Sequence, residues 1–255
     1  MELEQCVFLV TGAGSGLGEA VARAAVAGGA RCVLADVNPE SAGRVAGELG
    51  AGARAIACDV RRAEAGEAAV ALARDVFGGL HVLVNCAGIA SGEKVVGRNG
   101  PHGLEAFSRT IEINLVGSFN MLRLAAAAMV GNTPNAGGER GVIVNTASIA
   151  AFEGQIGQAA YSASKAGVVG MTLPAARELA RHGIRVMTIA PGIFETPMVK
   201  GMSPELQEAI GRGIPFPSRL GRPEEFAALV RHIVGNPMLN GETIRLDGAV
   251  RLATG

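Results

Sequence analysis

The sequence predicts an α/β fold: a doubly wound parallel sheet of seven strands with helices on both faces, in a single domain over residues 1–255. Three observations carry the prediction. Seven short apolar runs alternate with longer amphipathic ones along the chain, the order that builds a parallel sheet through helical crossovers. The first runs are apolar throughout rather than at alternate positions, as strands covered on both faces are. A glycine-rich turn, Thr11-Gly12-Ala13-Gly14-Ser15-Gly16-Leu17-Gly18, joins the first apolar run to the first amphipathic one.

Taken in order, strand 6–10 (CVFLV) leads through that turn into helix 16–27. Strand 32–35 is followed by helix 40–49, strand 55–58 by helix 63–77, and strand 82–85 by helix 104–129. Strand 142–146 precedes helix 158–181, strand 185–189 precedes helix 224–234, and strand 243–246 closes the sheet. Right-handed crossovers in such a sheet leave a ligand crevice at the carboxyl ends of the strands. Nothing marks a second domain. The polar, Gly-rich stretches 91–103 and 131–141 read as inserted loops. Segment 194–216 carries Pro197, Met198, Met202, Pro204, Ile210, Ile214 and Pro215, and suits a lid over a ligand.

Composition narrows the function classes. Apolar residues make up 49% and charged residues 18%, so the chain can bury a large core. Lys+Arg and Asp+Glu balance at 23 each, which points away from nucleic acid and from anionic membranes. The N-terminus lacks a basic signal region and an Arg-rich presequence, and no uninterrupted apolar run approaches membrane length; a cytoplasmic protein is the expectation. Cys6, Cys32, Cys58 and Cys86 recur at intervals of 26, 26 and 28 residues without metal spacing, which places them on successive buried strands as packing residues.

The glycine-rich turn allows backbone N–H groups and the positive end of a helix dipole to meet a pyrophosphate. Its spacing is G-x-x-x-G-x-G, through Gly12, Gly16 and Gly18. Asp36 ends the second strand 18 residues later, where a carboxylate accepts from adenine-ribose hydroxyls and repels a 2′-phosphate. No Lys or Arg follows in Val37-Asn38-Pro39, so NAD is favoured over NADP. The alternative is a helix cap, although Asn38 stands closer to the helix start. Asp59 ends the third strand within reach of an adenine, and the small Ala87-Gly88 pair lets backbone approach the nicotinamide half.

Tyr161 is the only tyrosine and Lys165 one of three lysines; they stand at i and i+4 on a predicted helix and share a face. A free phenol has a pKa of about 10, too high for a base at neutral pH. The Lys165 ammonium and a nicotinamide cation are expected to lower it; three units require about 4 kcal/mol. Ser148, 13 residues earlier at the end of a strand, is placed to hydrogen-bond a reacting oxygen. Ser162 and Ser164 face elsewhere and read as structural. Asn114 is polar within an apolar stretch, and a hydrogen bond in the helix core is an equal reading. Serine hydrolysis is set aside: Gly14-Ser15-Gly16 lacks the G-x-S-x-G frame, and no serine partners His81, His102, His182 or His232 by position.

Together TGAGSGLG, NCAG (85–88), Asn114, Ser148, YSASK (161–165) and APG (190–192) resemble the short-chain dehydrogenase/reductase superfamily over nearly the whole chain. The resemblance implies a Rossmann-like fold with a cofactor half over about 1–150 and a catalytic half over about 141–255. It also implies a Ser148–Tyr161–Lys165 catalytic set, with Asn114 holding a water for proton relay. Within the superfamily, GVIVNTASIAAFEGQIGQAAYSASK, IAPGIFETPM, PFPSRLG and NPMLNGETIRLDGAVR are similar to the type II 3-hydroxyacyl-CoA dehydrogenases, also termed 17β-hydroxysteroid dehydrogenases type 10. That likeness implies oxidation of an (S)-3-hydroxyacyl-CoA in fatty acid metabolism by a homotetramer with NAD. It implies cofactor contacts at Ser15, Leu17, Asp36, Asp59, Val60, Cys86 and Phe194, and extends them to Pro191, Gly192 and Thr196. Lys94, Arg98, His102, Lys200 and Arg212 are candidates for CoA phosphates, and Phe152, Gln155 and Gln158 for the acyl pocket. Rival readings are an NADPH-dependent 3-oxoacyl reductase, a steroid or other secondary-alcohol dehydrogenase, and a non-catalytic NAD-binding scaffold.

Overall fold

A computed structural model describes residues 1–254 apart from Asn99 and Met202, and excludes the side chains of Met198, Lys200, Pro204 and Leu206. The expectations for Met202 and for those of Met198, Lys200 and Pro204 that concern side chains therefore lie outside the described residues.

The chain begins with β1 (Val7–Thr11), α1 (Gly16–Ala27), β2 (Arg31–Asp36), α2 (Pro39–Leu49), β3 (Ala53–Ala57), α3 (Ala63–Phe77) and β4 (Val82–Asn85). A small hairpin follows, β5 (Val96–Gly97) and β6 (Gly100–Pro101), then α4 (Leu104–Ile111) and α5 (Gly117–Val130). The second half comprises β7 (Gly141–Thr146), α6 (Ala150–Glu153), α7 (Ala159–Leu179), β8 (Ile184–Pro191), α8 (Pro197–Lys200), α9 (Pro204–Arg212), α10 (Pro223–Gly235) and β9 (Thr243–Leu246). The seven long strands form one parallel sheet in the order β3-β2-β1-β4-β7-β8-β9.

Alternation within single strands shows why both faces must be covered. Phe8 and Val10 enter one apolar cluster with Val21, Val45, Phe226 and Val230 from α1, α2 and α10. Val7 and Leu9 enter the opposite cluster with Val70, Met121 and Met129 from α3 and α5. Leu9 is fully buried, and truncation of such a residue to alanine costs about 2–5 kcal/mol.

Three expectations change. The single helix over 104–129 is broken by a π-helical stretch, Glu112–Val116. Ser118 Oγ donates to the Asn114 carbonyl at 2.7 Å, and a Cβ on Gly117 would lie 2.5 Å from Val60. The wider turn thus sets Asn114 toward the loop after β4 while α5 packs closely on the loop after β3. By length and composition Leu104–Val130 passes as a membrane span, but half of its most apolar window is buried in the fold. Only Cys32 lies within a strand; Cys6 precedes β1, and Cys58 and Cys86 follow β3 and β4. Burial pushes the thiols of Cys6, Cys58 and Cys86 up to about 11, which leaves them poor nucleophiles. Finally, the β5–β6 hairpin and the short helices α6, α8 and α9 carry no apolar periodicity long enough to read in sequence.

At the amino ends of the central strands, His81 Nδ1 accepts from the Val7 N–H at 3.1 Å, and the His81 carbonyl accepts from Val142 N. Burial lowers the imidazole pKa below its ordinary 6.5. A proton on Nδ1 removes the acceptor, and the unfolded chain binds that proton more readily. The contribution is therefore complete above pH 6.5 and is lost as pH falls toward the lowered native value. In His81→Asn the amide oxygen replaces Nδ1 without titrating. The stability difference between wild type and His81→Asn, from urea melts at pH 7.5 and 5, should move against wild type at the lower pH; a difference constant with pH would refute the assignment.

Candidate active site

The carboxyl ends of β1, β4 and β7 converge on one crevice. Thr11 Oγ1 accepts from Cys86 N and Ala87 N, both at 3.1 Å, and so stitches the turn after β1 to the turn after β4. Gly12 has φ +64°, and a Cβ there would lie 2.9 Å from the Ala87 Cα. A Cβ on Gly18 would lie 2.3 Å from the Gly12 carbonyl oxygen. Both positions exclude larger residues. Ser15 precedes α1 in extended conformation and makes no side-chain cap, so its hydroxyl leaves the first-turn N–H groups of Gly16, Leu17 and Gly18 uncapped. This cradle fits the pyrophosphate of a dinucleotide.

Asp36 borders the cradle. Its Oδ2 accepts from Gly14 N and its Oδ1 from Asn38 N, each at 2.9 Å. Capping of α2 falls to Asn38, whose Oδ1 accepts from Glu40 N and Ser41 N. Asp59 is gripped by Arg61 at 2.6–3.2 Å through the side chain, and this guanidinium holds its carboxyl below the usual range. Val60 is buried, with its carbonyl accepting from Asn120 Nδ2 at 2.9 Å. Cys86 Sγ receives a long contact from Thr146 Oγ1, 3.6 Å.

Tyr161 and Lys165 lie one turn apart on α7. Lys165 is 5% exposed, donates from Nζ to the Thr146 carbonyl at 2.8 Å, and places Nζ 5.8 Å from the Tyr161 ring centroid. Burial pushes its pKa down to about 8. The expectation for Tyr161 needs correction. Burial raises the phenol, and the Ser148 hydroxyl opposes that shift only in part. The ammonium sits over the ring and on Thr146, so in the protein alone desolvation wins. Ser148 is fixed by its neighbours: Ala147 N donates to Ile189 O and Ile149 N to Pro191 O, at 2.8 and 3.1 Å. Its Oγ accepts from Ala150 N at 3.1 Å, which leaves the hydroxyl proton for another acceptor.

Asn114 is fully buried and its side-chain amide is engaged: Oδ1 accepts from Ile89 N at 2.8 Å, while Nδ2 donates to Ile89 O and Ser164 Oγ. Ser164 Oγ in turn donates to the Tyr161 carbonyl at 2.7 Å. The expected hydrogen bond within the core is what the structure shows for Asn114. A Cβ on Gly88 would lie 3.1 Å from Asn114 Oδ1 and 3.5 Å from Lys165 Nζ.

On the substrate side, Gln158 Oε1 accepts from Gln155 N, and Gln155 Nε2 donates to Ala253 O. Half-exposed Phe152 packs under Arg245, 5.2 Å from guanidinium to ring. Phe194 is buried and bridges Gly221; Thr196 and Pro197 face Gly16, where a Cβ would lie 3.8 and 3.4 Å from them. Gly192 N donates to Leu246 O. Of the anticipated phosphate contacts, Lys94 and Arg98 are exposed, whereas His102 and Arg212 are paired with Glu93 and Glu208. The sequence reading missed the roles of Thr11, Thr146 and Ile89; its reading of Ser164 as structural agrees with the bonds of that hydroxyl to Asn114 and the Tyr161 carbonyl. Thr11 and Thr146 end strands that were recognised, and that position was their one signal.

The buried ammonium predicts a pH dependence of stability. The native pKa of about 8 lies below the unfolded 10.5, so the unfolded chain holds more protons between these values and stability rises with pH there. Raised thiols act oppositely from about pH 9 to 11, so the effect is isolated as the difference from Lys165→Met. Wild type should gain about 3 kcal/mol on the variant between pH 7.5 and 10.5; a pH-independent difference would contradict the burial argument.

The geometry has counterparts among known proteins. Residues 6–207 match the family model described as short chain dehydrogenase. The "3-hydroxyacyl-CoA dehydrogenase type-2" of Drosophila melanogaster is 52% identical over 98% of this chain and 99% of its own. The Homo sapiens protein of the same name is 52% identical over 96% and 95%. A crystal structure of 3-hydroxyacyl-CoA dehydrogenase type-2 from Mycobacterium avium superposes with a TM-score of 0.96 at 41% identity, covering 99% of this chain and 98% of that one. A cradle for a dinucleotide, a Tyr–Lys pair backed by a serine and a full-length likeness all agree: the chain belongs to the short-chain dehydrogenase family.

Proposed function

We propose that the chain is an NAD-dependent dehydrogenase that oxidises (S)-3-hydroxyacyl-CoA to 3-oxoacyl-CoA, with Tyr161 as general base. The observation that carries the chemistry is the half-buried Tyr161 phenol facing the Ser148 hydroxyl, with the Lys165 ammonium one turn away. The substrate class rests on the names borne by the relatives above and on their match along nearly the whole chain. Asp36 supports NAD, since its carboxylate occupies the position beside Gly14 that a 2′-phosphate would meet.

When bound, NAD supplies the hydride acceptor. The residues that would hold it are Gly12, Ser15, Gly16, Leu17, Gly18, Asp36, Asp59, Val60, Cys86, Ala87, Gly88, Pro191, Gly192, Phe194 and Thr196, with Tyr161 and Lys165 at the reacting end. The Ser148 hydroxyl, which faces Tyr161 in the protein alone, would turn its proton to the substrate oxygen and fix its position, with Gln158 and Tyr161 completing the substrate contacts. Tyr161 Oη removes the hydroxyl proton. Burial opposes the phenolate, so Lys165 must remain charged and close to stabilise it; with a pKa of about 8 it is mostly ammonium at neutral pH. Asn114 holds Ile89 and Ser164, and through Ser164 the Tyr161 backbone; its place beside Lys165 suits a relay that returns the proton to solvent.

We further propose a homotetramer. Val116, Phe119 and Leu173 leave apolar side chains exposed on neighbouring helical surfaces of α5 and α7 and the turn before α5, a patch that a second copy would cover.

Two measurements test these proposals. Tyr161→Phe should lower kcat on a 3-hydroxyacyl-CoA by about 10³-fold or more while NAD affinity by calorimetry stays within about threefold; normal turnover would remove Tyr161 from the chemistry. Phe119→Asp should shift the species seen by sedimentation velocity to a smaller assembly, and an unchanged tetramer would place the interface elsewhere.

A further inference from the structure

We propose that discrimination against a 2′-phosphorylated nucleotide rests on Glu48 and Glu19 as well as on Asp36, because those two carboxylates hold Arg44 as a matched charge at the rim of the adenine-ribose pocket. The inference depends on the nucleotide reading of the turn after β1. Gly14 is its focus. The Gly14 N–H donates to Asp36 Oδ2 at 2.9 Å, and its carbonyl accepts from Arg44 Nη2 at 3.4 Å. A Cβ on Gly14 would lie 2.1 Å from Ser41 Oγ and 3.0 Å from Asp36 Oδ2. A carboxylate, a hydroxyl and a guanidinium therefore surround one glycine of the cradle.

Their hydrogen-bonding capacities separate them. Ser41 Oγ donates its one proton to Asn38 O at 3.0 Å and can only accept from others. Asp36 accepts, and bears the charge that a phosphate avoids. Arg44 is the group here able to donate to an anion; among the described residues no other cationic side chain hydrogen-bonds residues 12–18 of the turn outside Glu19. Its charge, however, is already matched. Arg44 Nη1 donates to Glu48 Oε1 at 3.0 Å and Nη2 to Glu19 Oε2 at 3.3 Å, and the same two carboxylates pair with Arg23. Two cations and two anions form a closed network without net charge. An incoming phosphate must compete with two carboxylates for the Arg44 charge as well as face Asp36.

Nothing near Asp36 in sequence announces this, because Arg44 stands eight residues beyond it. Helix α2 turns back over the cradle and returns Arg44 to Gly14.

The test is a calorimetric comparison of two probes, AMP and adenosine 2′,5′-bisphosphate, which differ by the 2′-phosphate alone. Wild type should favour AMP, and Asp36→Asn should narrow that preference. Relative to Asp36→Asn, the double variant Asp36→Asn/Glu48→Gln should bind the bisphosphate about threefold to tenfold more tightly with no further change for AMP, and the gain should shrink at high salt. Adding Arg44→Ala should abolish the gain. Glu48→Gln alone, with and without Arg44→Ala, makes the same comparison on the wild-type background if Asp36→Asn does not fold. No effect of Glu48→Gln, or an effect that survives Arg44→Ala, would overturn the proposal while leaving NAD use intact. Tighter binding of the bisphosphate by wild type would instead overturn the NAD reading itself.

Discussion

Asn114 ties together three segments that are far apart in sequence: the loop leaving β4, the π-helical turn between α4 and α5, and the start of α7. Its amide can bond Ile89 on both sides and Ser164 at once because it is fully buried and faces no competing water. The widened turn at Glu112–Val116 is what aims it there. Ser164 extends the link to the Tyr161 carbonyl. Tyr161 is thus linked to the loop after β4 through an asparagine, and a shift in any of these segments moves both ends of the site.

Electrostatics in the crevice are governed by desolvation. Lys165 is driven down and the Tyr161 phenol is driven up by the same burial. Helix spacing alone suggested that the ammonium would lower the phenol. The geometry shows the ammonium anchored on Thr146, with the hydroxyl of Ser148 the group that favours the phenolate. In the proposed mechanism, charge stabilisation of the phenolate falls to the assembled site, Lys165 included.

The adenine end follows a different logic. Arg44 is exposed, and salt and water screen it. Its partners in α1 and α2 nonetheless decide whether it presents a cation or a satisfied pair. The proposed selectivity there adds a network across two helices to the strand end that carries Asp36.

The sequence by itself determined the alternation of strands and helices, their parallel order, the glycine cradle, Asp36 and the Tyr161–Lys165 spacing. These are local signals: apolar runs, glycines where no Cβ fits, and residues one helical turn apart. It determined a helical stretch over 104–129 but not its π turn, because an extra residue in a turn leaves the apolar pattern almost unchanged. Tertiary structure alone decided the stitches by Thr11 and Thr146, the three-way bond of Asn114, the direction of the Tyr161 shift and the return of Arg44 to Gly14. Each depends on which groups from separate strands and helices are brought together and deprived of water. Spacing along a chain carries no record of that.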